Sequence, residues 1–420
     1  MLLDAGIGLI MLAGVIVFLL VILLLIIILL YARSKLVPSG PVKIKINSDK
    51  ELEVQSGSTL LATLSNNKIF LPAACGGSGT CGMCRLQVMS GAGSILPTEK
   101  GFFTRKEQQN HWRLGCQVKV KEDMDIKLSP EILEVKKMEC EVVSNRNVAT
   151  FIKEFVVKLP EGEKLNFKSG GYIQIDVPVC EVDYSKDIDV DEEFKGEWDE
   201  FNMWDLKMKN PEPTYRAYSM ASYPAESNII MLNIRIATPP WDPKRGGFKK
   251  VNSGICSSYI FSRKPGDKVT ISGPYGEFFI KDGSDREMMY IGGGAGMAPM
   301  RSHLFHLLKT LKSDRKITFW YGARSKGEIF YEDEFRALEK EFPNFQFYIA
   351  LSEAKPEDNW TGLTGFIHQV IIDEYLSKHP EPEEIEYYLC GPPLMNQAVI
   401  KMIYDFGIPD EMLAFDDFGG

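Results

Sequence analysis

"AACGGSGTCGMC", Ala73–Cys84, places three of the chain's 8 cysteines and four glycines within twelve of its 420 residues. The spacing is Cys75-x5-Cys81-x2-Cys84. A disulfide needs two cysteines, and a metal centre needs a fourth ligand. Cys116, 32 residues further on in "WRLGCQV", supplies a fourth thiol. Zinc sites built from four cysteines come as two close pairs, and only one close pair is present here. A plant-type [2Fe–2S] cluster uses C-x4-C-x2-C on a glycine-rich loop and a distant fourth cysteine. This loop departs by one residue in its first gap. None of the 5 histidines lies in the loop, which argues against a Rieske centre. Glycines let a backbone wrap an anionic group, take positive φ and aim N–H groups at sulfur. Cys75, Cys81, Cys84 and Cys116 are therefore the expected ligands of a [2Fe–2S] cluster, preferred to zinc.

The N-terminus has a different character. No charged residue occurs from Ala5 to Tyr31, and "VIVFLLVILLLIIILLY" is aliphatic almost throughout. A helix of about 20 such residues crosses a bilayer. A cleaved signal peptide fits poorly, since Met-Leu-Leu-Asp opens without positive charge and no small-residue cleavage site follows. Arg33, Lys35, Lys43 and Lys45 follow the run, so the positive-inside rule puts the remainder in the cytoplasm. In that reducing compartment clustered cysteines bind metal or do chemistry rather than form structural disulfides. The net charge of −9 excludes an ordinary nucleic-acid binder, which presents a basic face. It does not exclude a nucleotide site, which needs only local charge and backbone N–H groups.

Residues 1–35 thus read as a transmembrane anchor. Residues 36–130 read as a small α+β ferredoxin-like (β-grasp) domain: "VKIKIN" alternates as a half-buried strand, and a short helix starts near Ser58 or Thr59. Residues 131–285 carry β-rich runs separated by turns ("GYIQIDVPV", "NIIMLNIRIA", "DKVTISGPYGEFFI"), expected to form an antiparallel β-barrel. Within it residues 180–213 are long, acidic and aperiodic, and read as a solvated surface insertion. Residues 286–420 alternate four strands with four helices, the signature of an α/β parallel sheet. No internal repeat is visible.

Two further motifs carry chemistry. "RAYS" (Arg216–Ser219) and "GICSS" (Gly254–Ser258) pair an arginine that can fork onto phosphate, a tyrosine that can lie on a flat ring, and a helix start rich in Gly and Ser. Together they describe a flavin dinucleotide site. "YIGGGAGMAPMRS" (Tyr290–Ser302) runs strand, glycine loop, helix, with Pro299 expected at the first helical position. Gly292, Gly293, Gly294 and Gly296 do not make G-x-G-x-x-G. The ends of the neighbouring strands add support: "YGAR" (Tyr321–Arg324), "LSE" (Leu351–Glu353) and "CGPP" (Cys390–Pro393) all fall at the ligand-binding edge of an open parallel sheet. Cys390 could be a small buried apolar residue; its place at a strand end before Gly391 favours a functional role.

These residues resemble a known family. Arg216-x-Tyr218-Ser219, Gly254-x-x-Ser257, the Gly292–Pro299 loop and Cys390-Gly391-Pro392 are similar to the ferredoxin–NADP reductase superfamily. With a plant-type ferredoxin domain and an anchor in front, and with "YGARSKGEIFYEDEF", "PEDNWTGLTGFIH" and "DDFGG", the chain resembles the family of F subunits of bacterial sodium-translocating NADH:quinone oxidoreductases over essentially its whole length. The resemblance implies an enzyme of the inner membrane. Hydride would pass from NADH to FAD, then single electrons to the [2Fe–2S] cluster, then to other membrane subunits and a quinone such as ubiquinone. It implies that Arg216 binds FAD phosphates, that Tyr218 packs on the isoalloxazine with Ser219 near its N5, and that Gly254 and Ser257 hold the pyrophosphate. Phe418 would stack on the other flavin face, and Cys390 would lie near hydride transfer. Glu353 follows Ser352 where NADP-using relatives commonly carry a base; it would repel a 2′-phosphate and bond a ribose hydroxyl, with Arg324 and Lys326 close by. The rival expectations are the NADH-dependent reductase component of an oxygenase, against which the anchor speaks, and a tethered electron carrier that does not oxidise NADH, against which the glycine loop and "CGPP" speak. One helix without an acid inside its apolar run is a poor ion path, so sodium movement falls to other subunits.

Overall fold

A computed structural model describes residues 2–36, 40–244 and 246–416. The aliphatic run forms helix α1 (Leu2–Leu36), in which Leu12–Leu29 has a mean hydropathy of 3.7. Its Leu, Ile and Val side chains from Leu12 to Leu29 are exposed. Eighteen residues of helix span about 27 Å, close to the hydrocarbon thickness of a bilayer.

The chain separates into two compact units, Met1–Pro72 with Gly77–Leu133, and Ala73–Gly76 with Glu134–Gly420. In the first unit a five-stranded sheet runs in the order β2 (Lys50–Gln55), β1 (Pro41–Ile46), β5 (Met124–Lys127), β3 (Arg85–Ser90), β4 (Trp112–Leu114). β1 pairs parallel with β5 and antiparallel with β2, which makes the sheet mixed. Helix α2 (Leu60–Asn66) starts where the Thr59 hydroxyl accepts the Ala62 N–H at 3.2 Å, and it buries Leu60, Leu61 and Leu64. Helix α3 (Arg105–Gln109) is closed by a capping box between Thr104 and Glu107. Helix α4 (Pro130–Glu134) ends the first unit, a few residues beyond the sequence-based boundary at 130.

The second unit contains a barrel and a parallel sheet. The barrel order is β11 (Thr214–Ser219), β8 (Tyr172–Val177), β15 (Lys268–Tyr275), β6 (Lys136–Ala149), β7 (Ile152–Lys158), β12 (Ile229–Arg235), antiparallel throughout. A bridge between Met220 and Leu232 joins the two outer strands and closes it. A small hairpin, β13 (Trp241–Asp242) and β14 (Gly247–Phe248), precedes helix α7 (Ile255–Phe261).

The acidic insertion is not the solvated loop expected from its lack of period. It folds as a hairpin of β9 (Cys180–Asp183) and β10 (Lys207–Asn210) enclosing α5 (Tyr184–Asp187) and α6 (Lys195–Glu200). Tyr184, Trp198, Met203 and Met208 are buried and join the barrel core. Trp198 donates from Nε1 to Thr150 O at 2.8 Å and stacks on Phe151 and Phe261. The aromatic residues sit on helical turns too short to show a 3.6-residue repeat, so the apolar spacing looks irregular.

The parallel sheet has six strands where four were expected: β19 (Leu363–Thr364), β18 (Phe345–Leu351), β17 (Ile317–Ala323), β16 (Met288–Gly293), β20 (Glu386–Cys390), β21 (Leu413–Asp416). Helices α8 (Met297–Phe305), α9 (Glu332–Glu341), α10 (Ile367–Glu374) and α11 (Pro393–Asp405) connect them. Tyr290, Phe319, Phe347 and Tyr388 form one core, and Met289, Ile291, Trp320 and Leu389 another. Both faces of the central strands are therefore buried, as a doubly covered parallel sheet requires.

Candidate functional site

In the first unit, Cys84 immediately precedes β3 and Cys116 follows β4, and both are buried, while Cys81 is half-buried. The Cys116 N–H donates to Cys84 Sγ at 3.5 Å, and Gln117 Nε2 donates to Cys116 Sγ at 3.8 Å. The hydrogen bond with Cys116, then burial, pushes the Cys84 thiol far above its usual range, and the charge of Cys81 adds to this. Glycine is needed around these sulfurs. Gly82 has φ +69°, and any Cβ there would press into the Phe102 ring.

The second half of the loop support is ionic. Glu99 is fully buried and accepts from Arg113 Nη2 at 2.7 Å, Leu114 N at 2.9 Å and Leu96 N at 3.0 Å. Arg113 also donates to Ala92 O and Gly93 O, which ties the segment before Cys116 to its neighbours. Among the described residues no three His, Cys, Asp or Glu are grouped to hold one metal ion. A two-iron cluster takes two thiolates per iron. The Cys84–Cys116 pair, with N–H donors directed at both sulfurs, has the chemistry that such a cluster needs. Cys75, at the start of the loop, is half-buried.

In the second unit, β11 presents Arg216, Tyr218 and Ser219 at its end. Arg216 is exposed, with Nη1 donating to Tyr215 O at 2.8 Å. Tyr218 is half-exposed along one side, yet burial of its hydroxyl region pushes the phenol well above its usual range. Ser219 is buried and donates to Asp416 Oδ2 at 2.9 Å. At the start of α7 the Ser257 hydroxyl accepts from Ala237 N at 3.0 Å and donates to Gly254 O at 3.3 Å. A Cβ on Gly254 would lie 2.5 Å from Ala237 Cβ. Gly254 and Ser257 thus set the approach of α7 to the backbone at Ala237, just past the end of β12.

The glycine loop lies where the parallel sheet changes direction. β17, β18 and β19 extend to one side of β16, and β20 and β21 to the other. Open α/β sheets bind ligands at such a switch point, outside the carboxyl ends of the strands. Gly292, the last residue but one of β16, stands opposite Cys390 of β20, and Cys390 in turn pairs with Asp416 of β21. Any Cβ on Gly296 would overlap the Cys390 carbonyl oxygen, and one on Gly293 would lie 2.8 Å from Met395 Sδ. Gly391 approaches the N–H of Gly293 in the same way. Gly294 alone in this loop has positive φ, +56°. Pro299 stands at the third rather than the first helical position, because α8 begins at Met297; it is still in the first turn, where no N–H is required.

Ser219, Asp416 and Cys390 therefore meet at one place, one from the barrel and two from the sheet. Asp416 was not among the residues singled out by sequence, although it belongs to the C-terminal "DDFGG". Its signal was a short strand of four residues, too brief for a periodic pattern. Phe418 lies outside the described residues. Glu353 is exposed just beyond β18, with its N–H on Arg324 O at 2.8 Å.

Comparison with known proteins agrees with this architecture. Residues 44–121 match the family described as "2Fe-2S iron-sulfur cluster binding domain", residues 201–280 "Oxidoreductase FAD-binding domain", and residues 290–401 "Oxidoreductase NAD-binding domain". Among solved structures, the fold is similar to the Amycolatopsis cytochrome P450 reductase GcoB (TM-score 0.61, 21% identity, 90% of this chain and 98% of that one). It is also similar to the ferredoxin reductase in carbazole 1,9a-dioxygenase (TM-score 0.58, 24% identity, the same shares). At those identities the likeness concerns fold alone. Relatives named as the F subunit of Na(+)-translocating NADH-quinone reductase match far more strongly. That of Psychrobacter arcticus is 56% identical over 97% of this chain and 98% of its own length. That of Neisseria meningitidis is 55% identical over 97% and 99%, and that of Marinomonas 52% over 99% and 100%. With identity of this order from end to end, anchor helix and cysteine loop included, the chain belongs to the family of F subunits of the Na(+)-translocating NADH-quinone reductases.

Proposed function

We propose that this chain is the NADH-oxidising subunit of a sodium-pumping NADH:quinone oxidoreductase. The observation that carries the reading is the convergence of Ser219, Asp416 and Cys390 at the sheet's switch point, on a chain that also holds a three-cysteine loop and the distant Cys116. Bound FAD would supply the change from two-electron to one-electron transfer between NADH and a [2Fe–2S] cluster, whose thiolate ligands this chain would provide.

The chain's own residues bind and orient. Arg216 offers a forked donor to the flavin phosphates. Tyr218 offers a neutral ring face, and its phenol stays protonated because burial opposes ionisation. The Ser219 hydroxyl is held in one direction by its bond to Asp416, which pairs with Cys390 in the sheet. Gly254 and Ser257 fix the first turn of α7, whose N–H groups face an anion. The glycines at 292, 293, 294 and 296, with Gly391, keep the switch point low enough for a dinucleotide backbone to lie against it. Glu353 selects a ribose hydroxyl over a 2′-phosphate. Phe418, outside the described residues, is assigned to the nicotinamide face of the flavin by the family resemblance alone. Cys75, Cys81, Cys84 and Cys116 ligate the cluster.

In this reading α1 crosses the bacterial inner membrane once, with Arg33 and Lys35 at its C-terminal end, and hence the chain that follows it, on the cytoplasmic side. Other subunits of the complex accept the electrons, conduct sodium and reduce the quinone. The test is anaerobic titration of the full chain in detergent with NADH, read by flavin absorbance and by EPR. Flavin bleaching with a reduced [2Fe–2S] signal is expected, and that signal should vanish in Cys116→Ser. Flavin-loaded protein that NADH fails to bleach would sink the assignment.

A further inference from the structure

The acidic insertion reaches the nucleotide domain. Its helix α6 carries Glu197, whose Oε1 lies 3.6 Å from Lys355 Nζ in the segment after β18. Glu197 is held firmly. The next residue, Trp198, is fully buried and bonded to Thr150 O, while the N–H of Thr150 donates to Gly327 O at 3.3 Å. Gly327 belongs to the turn that follows β17. One residue of the barrel thus joins the insertion to the strand ends of the parallel sheet.

Those strand ends hold several cations. Arg324 ends the β17 segment, Lys326 follows, Lys355 comes after β18, and Arg235 ends β12 within reach of the same carboxylates. Left unopposed, this set would suit a phosphate dianion. Two of these cations are paired with carboxylates, Arg324 with Glu328 and Lys355 with Glu197. Arg324 Nε donates to Glu328 Oε1 at 2.9 Å, with Nη2 on the same oxygen. The hydrogen bond to Glu328 comes first in holding the Arg324 cation, and Glu353 and Glu197 add to it. Burial works against the charge of Glu328, yet Arg324 keeps it below the ordinary carboxylate range. Lys326 donates its backbone N–H to Asp358 Oδ2 at 3.5 Å and its Nζ to the Asp358 carbonyl oxygen at 3.4 Å. Three of the carboxylates, Glu328, Glu353 and Asp358, come from the nucleotide domain itself. Glu197 comes from the insertion and faces Lys355.

We propose that Glu197 is a specificity-determining residue that discriminates against a 2′-phosphorylated dinucleotide. The inference rests on the functional reading above and deepens it. By pairing with Lys355, Glu197 removes one of the cations that a 2′-phosphate would draw on at the adenosine end of the site, while a ribose diol needs none. The insertion would then be a selectivity element attached to the barrel, and Glu353 would be one of two carboxylates acting from opposite sides. Discrimination of this kind works by an unfavourable element set against the wrong ligand.

The test compares the full-length, FAD-loaded chain with Glu197→Gln and Glu197→Lys. Stopped-flow flavin reduction by NADH and by NADPH gives the ratio of kcat/KM values. Direct binding of adenosine 2′,5′-bisphosphate against that of ADP, measured by isothermal titration calorimetry, gives a readout independent of turnover. Glu197→Gln should raise the NADPH:NADH ratio about threefold and Glu197→Lys at least about tenfold, with tighter binding of the 2′,5′-bisphosphate in the same order. A ratio unchanged in both variants, or equal losses with both nucleotides accompanied by a lower melting temperature, would overturn the inference and leave the dehydrogenase reading intact. Wild-type protein that keeps its flavin and is not reduced by NADH would overturn both.

Discussion

The cysteine loop and the nucleotide loop are both rich in glycine, and the reason differs. Around the cysteines, Gly77, Gly79 and Gly82 all have φ between +69° and +89°. Glycine is there because the backbone turns left-handed, which costs a residue with a Cβ roughly 1–2 kcal/mol. In the nucleotide loop Gly296 has φ −61°, a conformation open to any residue. Glycine is there because the Cys390 carbonyl occupies the place of a Cβ. Freedom of conformation dominates in the first loop, although Phe102 also crowds Gly82, and absence of bulk dominates in the second, where Gly294 alone has positive φ. A run of glycines in a sequence does not distinguish the two.

Substitutions can break this comparison or sharpen it. The largest effect is expected beneath the cysteine loop. Arg113→Met would leave Glu99 buried with its main partner gone, at about 3–5 kcal/mol. Thermal unfolding together with iron content should show loss of the cluster, with flavin retained by the second unit. An unchanged melting profile would mean that the pair does not support the loop.

Gly296→Ala comes next. The obstructing atom is a backbone oxygen, which cannot rotate away, so overpacking of about 3 kcal/mol is expected. NADH-dependent flavin reduction should fall while the EPR signal after dithionite reduction stays. A loop that tolerated alanine without loss of NADH binding would remove the steric half of the comparison.

The same helix α8 also contains a pH-sensitive group. His303 is fully buried, its Nε2 donating to Phe278 O at 3.0 Å and Ser169 O at 3.2 Å, and burial lowers its pKa to about 4. The unfolded chain takes up this proton near pH 6.5 and the folded chain does not. The associated stability is therefore present above pH 6.5 and lost as the pH falls toward 4, about 2 kcal/mol of it by pH 5. His303→Gln should flatten the melting temperature between pH 7 and pH 5. An equally steep acid decline in the variant would assign the effect to other groups.

The smallest effect is Gly79→Ala. Its φ is +85°, and the atom in the way is the mobile end of Gln117. About 1–2 kcal/mol of backbone strain is expected, read as a modest fall in melting temperature with the cluster still assembled. If Gly79→Ala cost more than Gly296→Ala, the assignment of causes to the two loops would be reversed.

Much of the architecture was legible in the sequence because its signals are local. The apolar run of α1, the alternation of β1 and the long strands β16, β17, β18 and β20 each announce themselves within a few residues. The insertion was misread because Tyr184, Trp198 and Trp204 lie on short turns and meet only after folding. β19 and β21, of two and four residues, are too short to carry a pattern. Pro299 was misplaced by two positions because the helix start is set by the packing of Gly296 on Cys390, which local preference does not encode.

By itself the sequence determined the chemistry available: four thiols at a cluster spacing, a flavin motif, a glycine loop and a helix apolar enough for a membrane. The tertiary structure decided which groups meet. Ser219 and Asp416 bond across 197 positions, and Glu197 reaches Lys355 from another layer of the fold. The physical reason is range. Backbone geometry and hydrophobic period act over a turn of helix or a strand, whereas a site is assembled by the packing of whole layers, which side-chain volume and buried polar pairing settle together.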